Sequence, residues 1–600
     1  MKKIISIFIL LLTVFLSGCN EKNFLKEEPR DDIYAENLLA NNTGFLSMET
    51  AIKALMREEY CRVDNLGKYG ASTLPIVRHA MWGCGTDNSW SNNTHSSFRF
   101  MYYPSLIKQT DLDCMMLTFE WLYKIVSASN MVINRAEDPA INWEGGNVLA
   151  NTANKETAIA KARFARAWAY RHLTYSFGAV PLSTTEISGL NYRTDWDRNP
   201  VADIRKVMEE DLLYAIQKLP LRAANNTTVS GAMARHYLGE LYLAMGNPTK
   251  AEEVLRPLVT GAEYSLMTSR FGSNASQPGC AFIDVFRSPL YTSGNKEVLY
   301  TFLNTPPEAA STGSAPVYQK STWKNYYSND VDIKKSNLLA PEVVAGTINN
   351  IKMLWLVNGG KGAARASVSL GSLRLYNYKN QGAIDDRISN NAMVWKIYEK
   401  NAAGAIVEFL KNGKSVIDTT VSAGMVDDSK TTIQNYKWPC TKKWDYVQTV
   451  AANGDADESY NDQVYLRLAD TYLLYAEALY KLKNATAVDW INKVRNRSQA
   501  VSITANDLNA LGLDLILDER SRELLSEEER RHTLIRVSQE NGGDERDVNN
   551  YFKKRVRAYN EICGRPARGM ADASIPVLFP IPQIFIDSNT GRTITQNPGY

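Results

Sequence analysis

Residues 468–498 constrain the fold most, because they form a helical pattern that is apolar nearly all round. They read LADTYLLYAEALYKLKNATAVDWINKVRNRS. Ala469, Tyr472 and Leu473 occupy the i, i+3 and i+4 positions of one helix face. Leu474 and Ala478 lie elsewhere around the same helix, so few of its positions can face water. The pattern predicts a helix buried within a larger helical assembly.

A second helix follows the break at Lys483 and Asn484. It has an apolar stripe at helical spacing, formed by Ala487, Trp490, Ile491 and Val494. Its basic residues are predicted on the solvent side, namely Lys493, Arg495 and Arg497. Together the two helices predict a helical hairpin of repeat type.

Residues 235–255 form a similar pattern, RHYLGELYLAMGNPTKAEEVL. Six positions have the spacing of a tetratricopeptide repeat: Leu238, Gly239, Tyr242, Gly246, Ala251 and Leu255. Residues 157–182 predict a further long helix, rich in alanine and aromatic residues and ended by Gly178 and Pro181. The predicted fold class is mostly α, a scaffold of tetratricopeptide-like hairpins interrupted by long ligand-binding loops and a small β-hairpin.

The interruption covers roughly residues 281–442, where helical periodicity weakens. Residues 405–421 alternate around Asn412-Gly413, which predicts a β-hairpin with a type I′ turn. Residues 305–330 form a long loop rich in Pro, Ser and Gly that contains Tyr318, Trp323, Tyr326 and Tyr327. Long loops in compact proteins are usually functional or disordered, and four large aromatic residues favour function.

The N-terminus has the features of a bacterial lipoprotein signal peptide. Lys2 and Lys3 precede an apolar run over residues 4–16, which is too short to span a bilayer. The run ends in Leu-Ser-Gly-Cys, so Cys19 is predicted to become the lipidated first residue of the mature chain. Removing Lys2 and Lys3 lowers the formal charge from +3 to +1, which leaves no basic surplus for nucleic acid.

Catalytic and metal motifs are weak. Glu519 and Glu523 could form a glycosidase-like carboxylate pair, but their i, i+4 spacing among arginines predicts structural ion pairs. Asp455 and Asp457 lie in an acidic loop that could hold a calcium ion, although a solvated loop is the default interpretation. We therefore predict neither an enzyme nor a cofactor.

Residues 79–97 place Trp82 and Trp90 among Asp87, Asn88 and Asn93. Sugars offer C–H faces to aromatic rings and hydroxyl groups to carboxylates and amides, so this composition suits a carbohydrate. The alternative is that the tryptophans cap the core beneath polar turns. The residues alone leave both interpretations open.

Several segments, in order along the chain, resemble blocks of the SusD/RagB family: residues 161–182, 282–302, 467–498, 516–537 and 578–600. The resemblance implies a surface lipoprotein of the outer membrane that covers a SusC-like TonB-dependent transporter and binds glycans, or peptides in some members. It implies that the helical repeats face the transporter and that loops on the other side hold the ligand. The expected ligand-binding residues are Trp82, Asp87, Asn88, Trp90, Asn93, Trp323, Tyr326 and Tyr327.

The resulting domain prediction has four parts: a signal peptide over 1–18, a lipidated tether over 19–40, an N-terminal helical region over 41–280 and a C-terminal region over 281–600. The last contains variable loops at 304–330 and 331–436. The predicted partners are the transporter, a glycan and the membrane through Cys19. Alternatives to glycan uptake are a peptide-binding member of the family, a glycoside hydrolase and a pure adaptor.

Overall fold

The structure is a computed structural model of the 600-residue chain. It describes residues 38–60, 81–91, 113–188, 192–304, 323–324, 362, 366–379, 385–403, 405–415, 417, 438–445, 460–540, 550–562 and 577–600. The predicted lipidation site Cys19 and the predicted calcium loop at Asp455 and Asp457 lie outside these residues. The domain boundaries stay a prediction.

The described part is mostly α-helical, as predicted. Six helices precede the interruption: α1 (Asn42–Arg57), α2 (Asp113–Arg135), α3 (Val148–Phe177), α4 (Val201–Lys218), α5 (Gly231–Ala244) and α6 (Pro248–Thr260). Helix α7 (Ala281–Arg287) lies at its start. The short helix α8 (Leu370–Leu375) lies within it. Seven follow: α9 (Leu468–Lys481), α10 (Ala487–Arg497), α11 (Ala505–Leu511), α12 (Leu513–Glu523), α13 (Arg530–Glu540), α14 (Tyr551–Ile562) and α15 (Gln583–Ser588). No helix among these residues is long and apolar enough to cross a bilayer.

The helices pack side by side as a continuous scaffold. Helix α2 packs on α3, α3 on α4, α4 on α5 and α5 on α6. The row then continues directly from α6 to α9, and α9 packs on both α10 and α12. The two predicted hairpins are therefore neighbours in space, although the interruption separates them in sequence. The helical hairpins are confirmed, and their tetratricopeptide character stays a prediction.

The hairpin of α5 and α6 shows why its sequence has the observed spacing. Gly246 has a φ of 69° and ends the turn after α5, and the Asn247 side chain then accepts a hydrogen bond from the Lys250 backbone N–H at the start of α6. A Cβ on Gly239 would overlap the side chain of Leu255, which is buried on α6. Glycine thus permits the close approach of the two helices.

The C-terminal hairpin confirms one part of its prediction and corrects another. Helix α9 is buried from Leu468 to Leu479 except at Asp470, as its nearly all-round apolar pattern predicts. On α10, however, Arg495 and Arg497 are buried and bonded to carboxylates, and of the three basic residues only Lys493 is exposed. The prediction that both arginines face solvent was wrong, because their carboxylate partners come from segments remote in sequence.

The strands form short two-stranded pairs. Strands β1 (Ser89–Ser91) and β2 (Val298–Phe302) precede β3 (Ala366–Val368), β4 (Met393–Val394), β5 (Tyr398–Lys400), β6 (Ile406–Glu408), β7 (Leu410–Lys411), β8 (Lys414–Ser415), β9 (Cys440–Thr441) and β10 (Gln463–Arg467). Asn412 and Gly413 between β7 and β8 have φ values of 53° and 75°, which confirms the type I′ turn. Strand β2 pairs antiparallel with β10, so the ends of the interruption lie side by side.

Replacing Gly239 by Ala should lower the free energy of unfolding by about 1–3 kcal/mol, because the new methyl group overpacks the helix contact. Urea unfolding measures the effect. In a Leu255→Ala background the same substitution should cost far less, since the overlapping side chain is gone. An equal loss in both backgrounds would contradict the packing argument.

Candidate ligand-binding platform

The turn over residues 81–91 begins with a tryptophan that belongs to the core. Trp82 is fully buried, its indole N–H donates to Ser176 Oγ at 3.0 Å, and its ring stacks on His172 with centroids 4.3 Å apart. Because the Trp82 ring is fully covered by other protein groups, a sugar cannot stack on it. For Trp82 the structure thus corrects the predicted ligand contact and agrees with the core-capping alternative.

Asp87 is the main electrostatic anchor of this turn. Its carboxylate is fully buried and accepts two hydrogen bonds from Arg530, at 2.8 and 2.7 Å, and one from Arg555 Nε at 3.0 Å. Burial alone would raise the pKa of Asp87, but the two guanidinium groups outweigh burial and lower the pKa to about 2. Asp87 is therefore ionised and occupied by protein partners, which corrects its predicted role as a ligand contact.

Asn88 fixes the same turn from the other side. Its Oδ1 accepts hydrogen bonds from Ser521 at 2.6 Å and from Ser372 at 3.3 Å. The hydroxyl of Ser369 also donates to the Asp87 carbonyl at 2.6 Å. Asn88 is buried, so it too is a structural residue and not the predicted hydroxyl-binding amide. These partners lie hundreds of residues away in sequence, and no local signal identifies them.

Strand β1 continues from this anchored turn and pairs antiparallel with β3. Trp90 is opposite Ser367 in this register, so its backbone position is fixed by the sheet. The side chain of Trp90 and the residues Asn93, Tyr326 and Tyr327 lie outside what the structure describes. Their predicted ligand contacts stay predictions.

Trp323 lies in an apolar cluster with Cys84 from the anchored turn and Ala366 from β3. Its side chain is only 4 % exposed, so it supports the cluster and does not present an open stacking face. The next residue, Lys324, forms a buried ion pair with Asp445 at 2.6 Å. The structure therefore brings the two predicted ligand segments together. We call residues 81–91, 323–324, 366–373 and 438–445 the platform.

A network of buried ion pairs lies next to the platform. Glu519 accepts hydrogen bonds from Arg387, Arg495 and Arg522 at 2.7–2.8 Å, and Glu523 accepts from Arg387, Arg467 and Arg497. Both glutamates are fully buried.

Burial alone would raise the pKa of both glutamates. The arginines reverse this effect, lowering the pKa of Glu519 to about 2 and that of Glu523 further. A general acid needs a pKa near the working pH. The pair therefore has the chemistry of a structural network, as its helical spacing predicts.

One donor set among the described residues could hold a metal ion. Ligand atoms of Glu59, His172 and Glu529 lie within 4.8 Å of one another, and all three residues are buried. Two carboxylates and an imidazole suit a divalent transition metal. Arg171 also donates to Glu529 at 3.4 Å, so a metal would share that carboxylate with a guanidinium group.

A cleft of about 820 Å³ opens next to the start of α7, and its wall includes residues of α9 and α10. We call it the Lys493 cleft. Its lining includes Lys493, Arg270, Asp386, Tyr472, Arg497 and Gln499. None of the described residues that line it belongs to the platform. Its volume falls in the range of roughly 300–1,000 Å³ that is usual for small-ligand sites.

Residues 357–600 match the family model for the SusD family. The C-terminal part of the chain is thus similar to the SusD family. Among solved structures, a laminarin-binding SusD-like protein is 17 % identical with a TM-score of 0.61, over 93 % of this chain and 100 % of that one. A SusD homolog from Bacteroides thetaiotaomicron is 19 % identical with a TM-score of 0.65, over 95 % and 99 %.

Surface glycan-binding protein A from Bacteroides uniformis is 15 % identical with a TM-score of 0.60, over 93 % of this chain and 99 % of that one. At these identities the structures show a shared fold and no more. A comparison with curated protein sequences finds no match. The match over residues 357–600 and the shared fold agree with the sequence resemblance and with the mostly helical architecture.

Replacing Asp87 by Asn should destabilise the chain by about 3–5 kcal/mol at pH 7, because buried guanidinium groups lose a charged partner. The folded-state pKa of Asp87 lies below its ordinary value, so the carboxylate stabilises the fold above about pH 4 and loses this effect as the pH falls towards 2. Urea unfolding at several pH values should show the difference between variant and wild type shrinking on acidification.

The matched control is Asp203→Asn, since Asp203 pairs with Lys206 on the exposed surface of α4. We expect it to change the free energy of unfolding by less than about 1 kcal/mol at every pH. Equal effects of the two substitutions at pH 7 would contradict the anchoring role of Asp87.

Proposed function

We propose that this protein is a non-catalytic surface lipoprotein that binds an oligosaccharide and delivers it to a SusC-like TonB-dependent transporter in the outer membrane. The observation that carries the proposal is the meeting of the two predicted ligand segments, around residues 90 and 323, on one platform. The match of residues 357–600 to the SusD family model supports it, as do fold relatives described as laminarin-binding and as glycan-binding.

The platform divides the predicted site residues into two roles. Trp82, Asp87, Asn88 and Trp323 hold the platform in shape, since each is buried. Direct contact with the glycan is assigned to Trp90, Asn93, Tyr326 and Tyr327. Stacking of sugar rings on these aromatic side chains supplies affinity, and the asparagine amide orients hydroxyl groups.

Delivery to a transporter requires an anchor and an adaptor surface. Lipidation of Cys19 anchors the mature chain to the outer membrane at the cell surface, and residues 19–40 serve as the tether. The helical hairpins face the transporter. They form one packed row from α2 to α12, which gives a partner a rigid surface independent of the ligand loops.

Two alternatives differ from this proposal in their ligand chemistry or partner. A peptide-binding family member would pair backbone groups or use a charged groove, and calorimetry with glycan and peptide panels separates the two. A pure adaptor would bind the transporter and no ligand. Neither alternative needs two aromatic segments on one platform.

Replacing Trp90 by Ala should weaken binding of any glycan identified on an array by at least about tenfold, or about 1.4 kcal/mol, because a stacking surface is lost. Calorimetry of residues 20–600, which lack the predicted lipidation site Cys19, measures the change. Tyr192→Ala is the control, since this aromatic side chain is 74 % exposed on a segment outside the platform and the predicted ligand loops. Unchanged glycan affinity in Trp90→Ala would contradict the proposal that the platform binds the glycan.

The purified chain should release no reducing ends from the glycan that it binds. Replacing Glu519 by Gln should lower the free energy of unfolding, since three arginine hydrogen bonds to a buried carboxylate are weakened. It should leave glycan affinity per folded molecule unchanged. A hydrolytic activity that disappears in Glu519→Gln would establish the glycoside hydrolase alternative.

A further inference from the structure

The walls of the Lys493 cleft contain three basic residues and one acidic residue among those that the structure describes: Arg270, Lys493, Arg497 and Asp386. Both arginines already have carboxylate partners that do not line the cleft. Arg270 pairs with Asp284, and Arg497 pairs with Glu297 and Glu523. The positive charges of Arg270 and Arg497 are thus balanced by carboxylates that lie outside the lining of the cleft.

Lys493 differs from these arginines, because it forms no ion pair with any residue that the structure describes. Its side chain is exposed, and its Nζ lies 3.7 Å from the centroid of the Trp490 ring. This cation–π contact holds the ammonium group at the cleft and leaves its donors available to an anion. Lys493 is therefore the charge in the wall best able to recognise a ligand.

A hydroxyl donor and a carboxylate acceptor accompany this lysine. Tyr472 lines the cleft, and its hydroxyl forms no hydrogen bond within the described part of the chain. Burial raises the pKa of Tyr472 to about 12, so the hydroxyl is a donor at neutral pH. Asp386 is half-buried and accepts a hydrogen bond from Gln499 Nε2 at 3.0 Å, which fixes an acceptor on the wall.

We propose that the Lys493 cleft is a second saccharide site that takes a sugar with a carboxylate group, such as a uronic acid. The ligand carboxylate bonds to Lys493, and sugar hydroxyl groups bond to Tyr472 and Asp386. The proposal rests on the proposed function to the extent that the ligand is a glycan, and it adds a charge preference and a location outside the platform.

The same residues disfavour a phosphate ligand. A phosphate dianion is best held by bidentate guanidinium groups, and both arginine forks in this wall are bonded to carboxylates. One lysine balances one carboxylate, and Asp386 repels a second negative charge. The cleft therefore fits a sugar with one acidic group per binding unit.

Calorimetry on residues 20–600, which lack the predicted lipidation site, tests the proposal with three probes: trigalacturonate, triglucuronate and trimannuronate. Each probe is paired with its methyl ester, which keeps the sugar rings and removes the charge. At least one acid should bind tenfold or more tightly than its ester, and added salt should weaken that binding. Lys493→Met should reduce the affinity at least tenfold, and Tyr472→Phe should reduce it several-fold.

Two controls separate this site from the platform and from general charge effects. Lys206→Met removes an exposed lysine from α4 and should leave acidic saccharide binding unchanged. Trp90→Ala should also leave it unchanged, because the platform does not line the cleft. Unfolding curves show whether Lys493→Met and Tyr472→Phe retain the stability of the parent chain.

The proposal is overturned if no acid in the panel binds, if acids and esters bind equally, or if Lys493→Met retains full affinity. In those cases the proposed function stands as long as a neutral glycan binds and Trp90→Ala weakens it. Failure of every neutral and acidic saccharide to bind would overturn both proposals.

Discussion

Glu523 accepts hydrogen bonds from Arg387, Arg467 and Arg497 in a region from which water is excluded. Much of the described structure depends on these ion pairs. Burying charges is unfavourable unless each has a partner in good geometry. The carboxylate satisfies this requirement only when three separate segments are in place. The network therefore fixes residues 387, 467 and 497 relative to α12 more sharply than apolar packing alone would.

This constraint explains how so long an interruption is tolerated. Strand β2 lies near its start and β10 follows its end, and the two strands pair directly with Gln463 opposite Phe302. Arg467 in β10 and Arg497 in α10 both bond to Glu297, which immediately precedes β2, so the base of the interruption is closed by charge as well as by the sheet. The entropic penalty of loop closure grows slowly with length. Loops can therefore lengthen or change without disturbing the scaffold.

The sequence predicts the elements whose cause is local. The buried helix α9 follows from its apolar spacing, the glycine in α5 from the close approach of a helical hairpin, and the type I′ turn from Asn412-Gly413. It cannot predict the roles of Asp87 and Asn88. A polar turn in sequence looks the same whether it faces a sugar or buried arginines, and here the partners Arg530 and Ser521 are more than 400 residues away. Arg495 and Arg497 were misplaced for the same reason.

The platform and the Lys493 cleft are both held in shape by buried ion pairs. Asp87 ties the platform to α13 and α14 through Arg530 and Arg555, and Arg497 belongs both to the buried network and to the wall of the cleft. A site whose supporting groups are fixed before binding loses less conformational entropy when a ligand arrives. Carboxylates already hold these arginines. Neither surface can therefore use them to bind a ligand without breaking the buried ion pairs. The ligand must then be recognised by groups that are not part of the buried ion pairs, and Lys493 is such a group in the cleft.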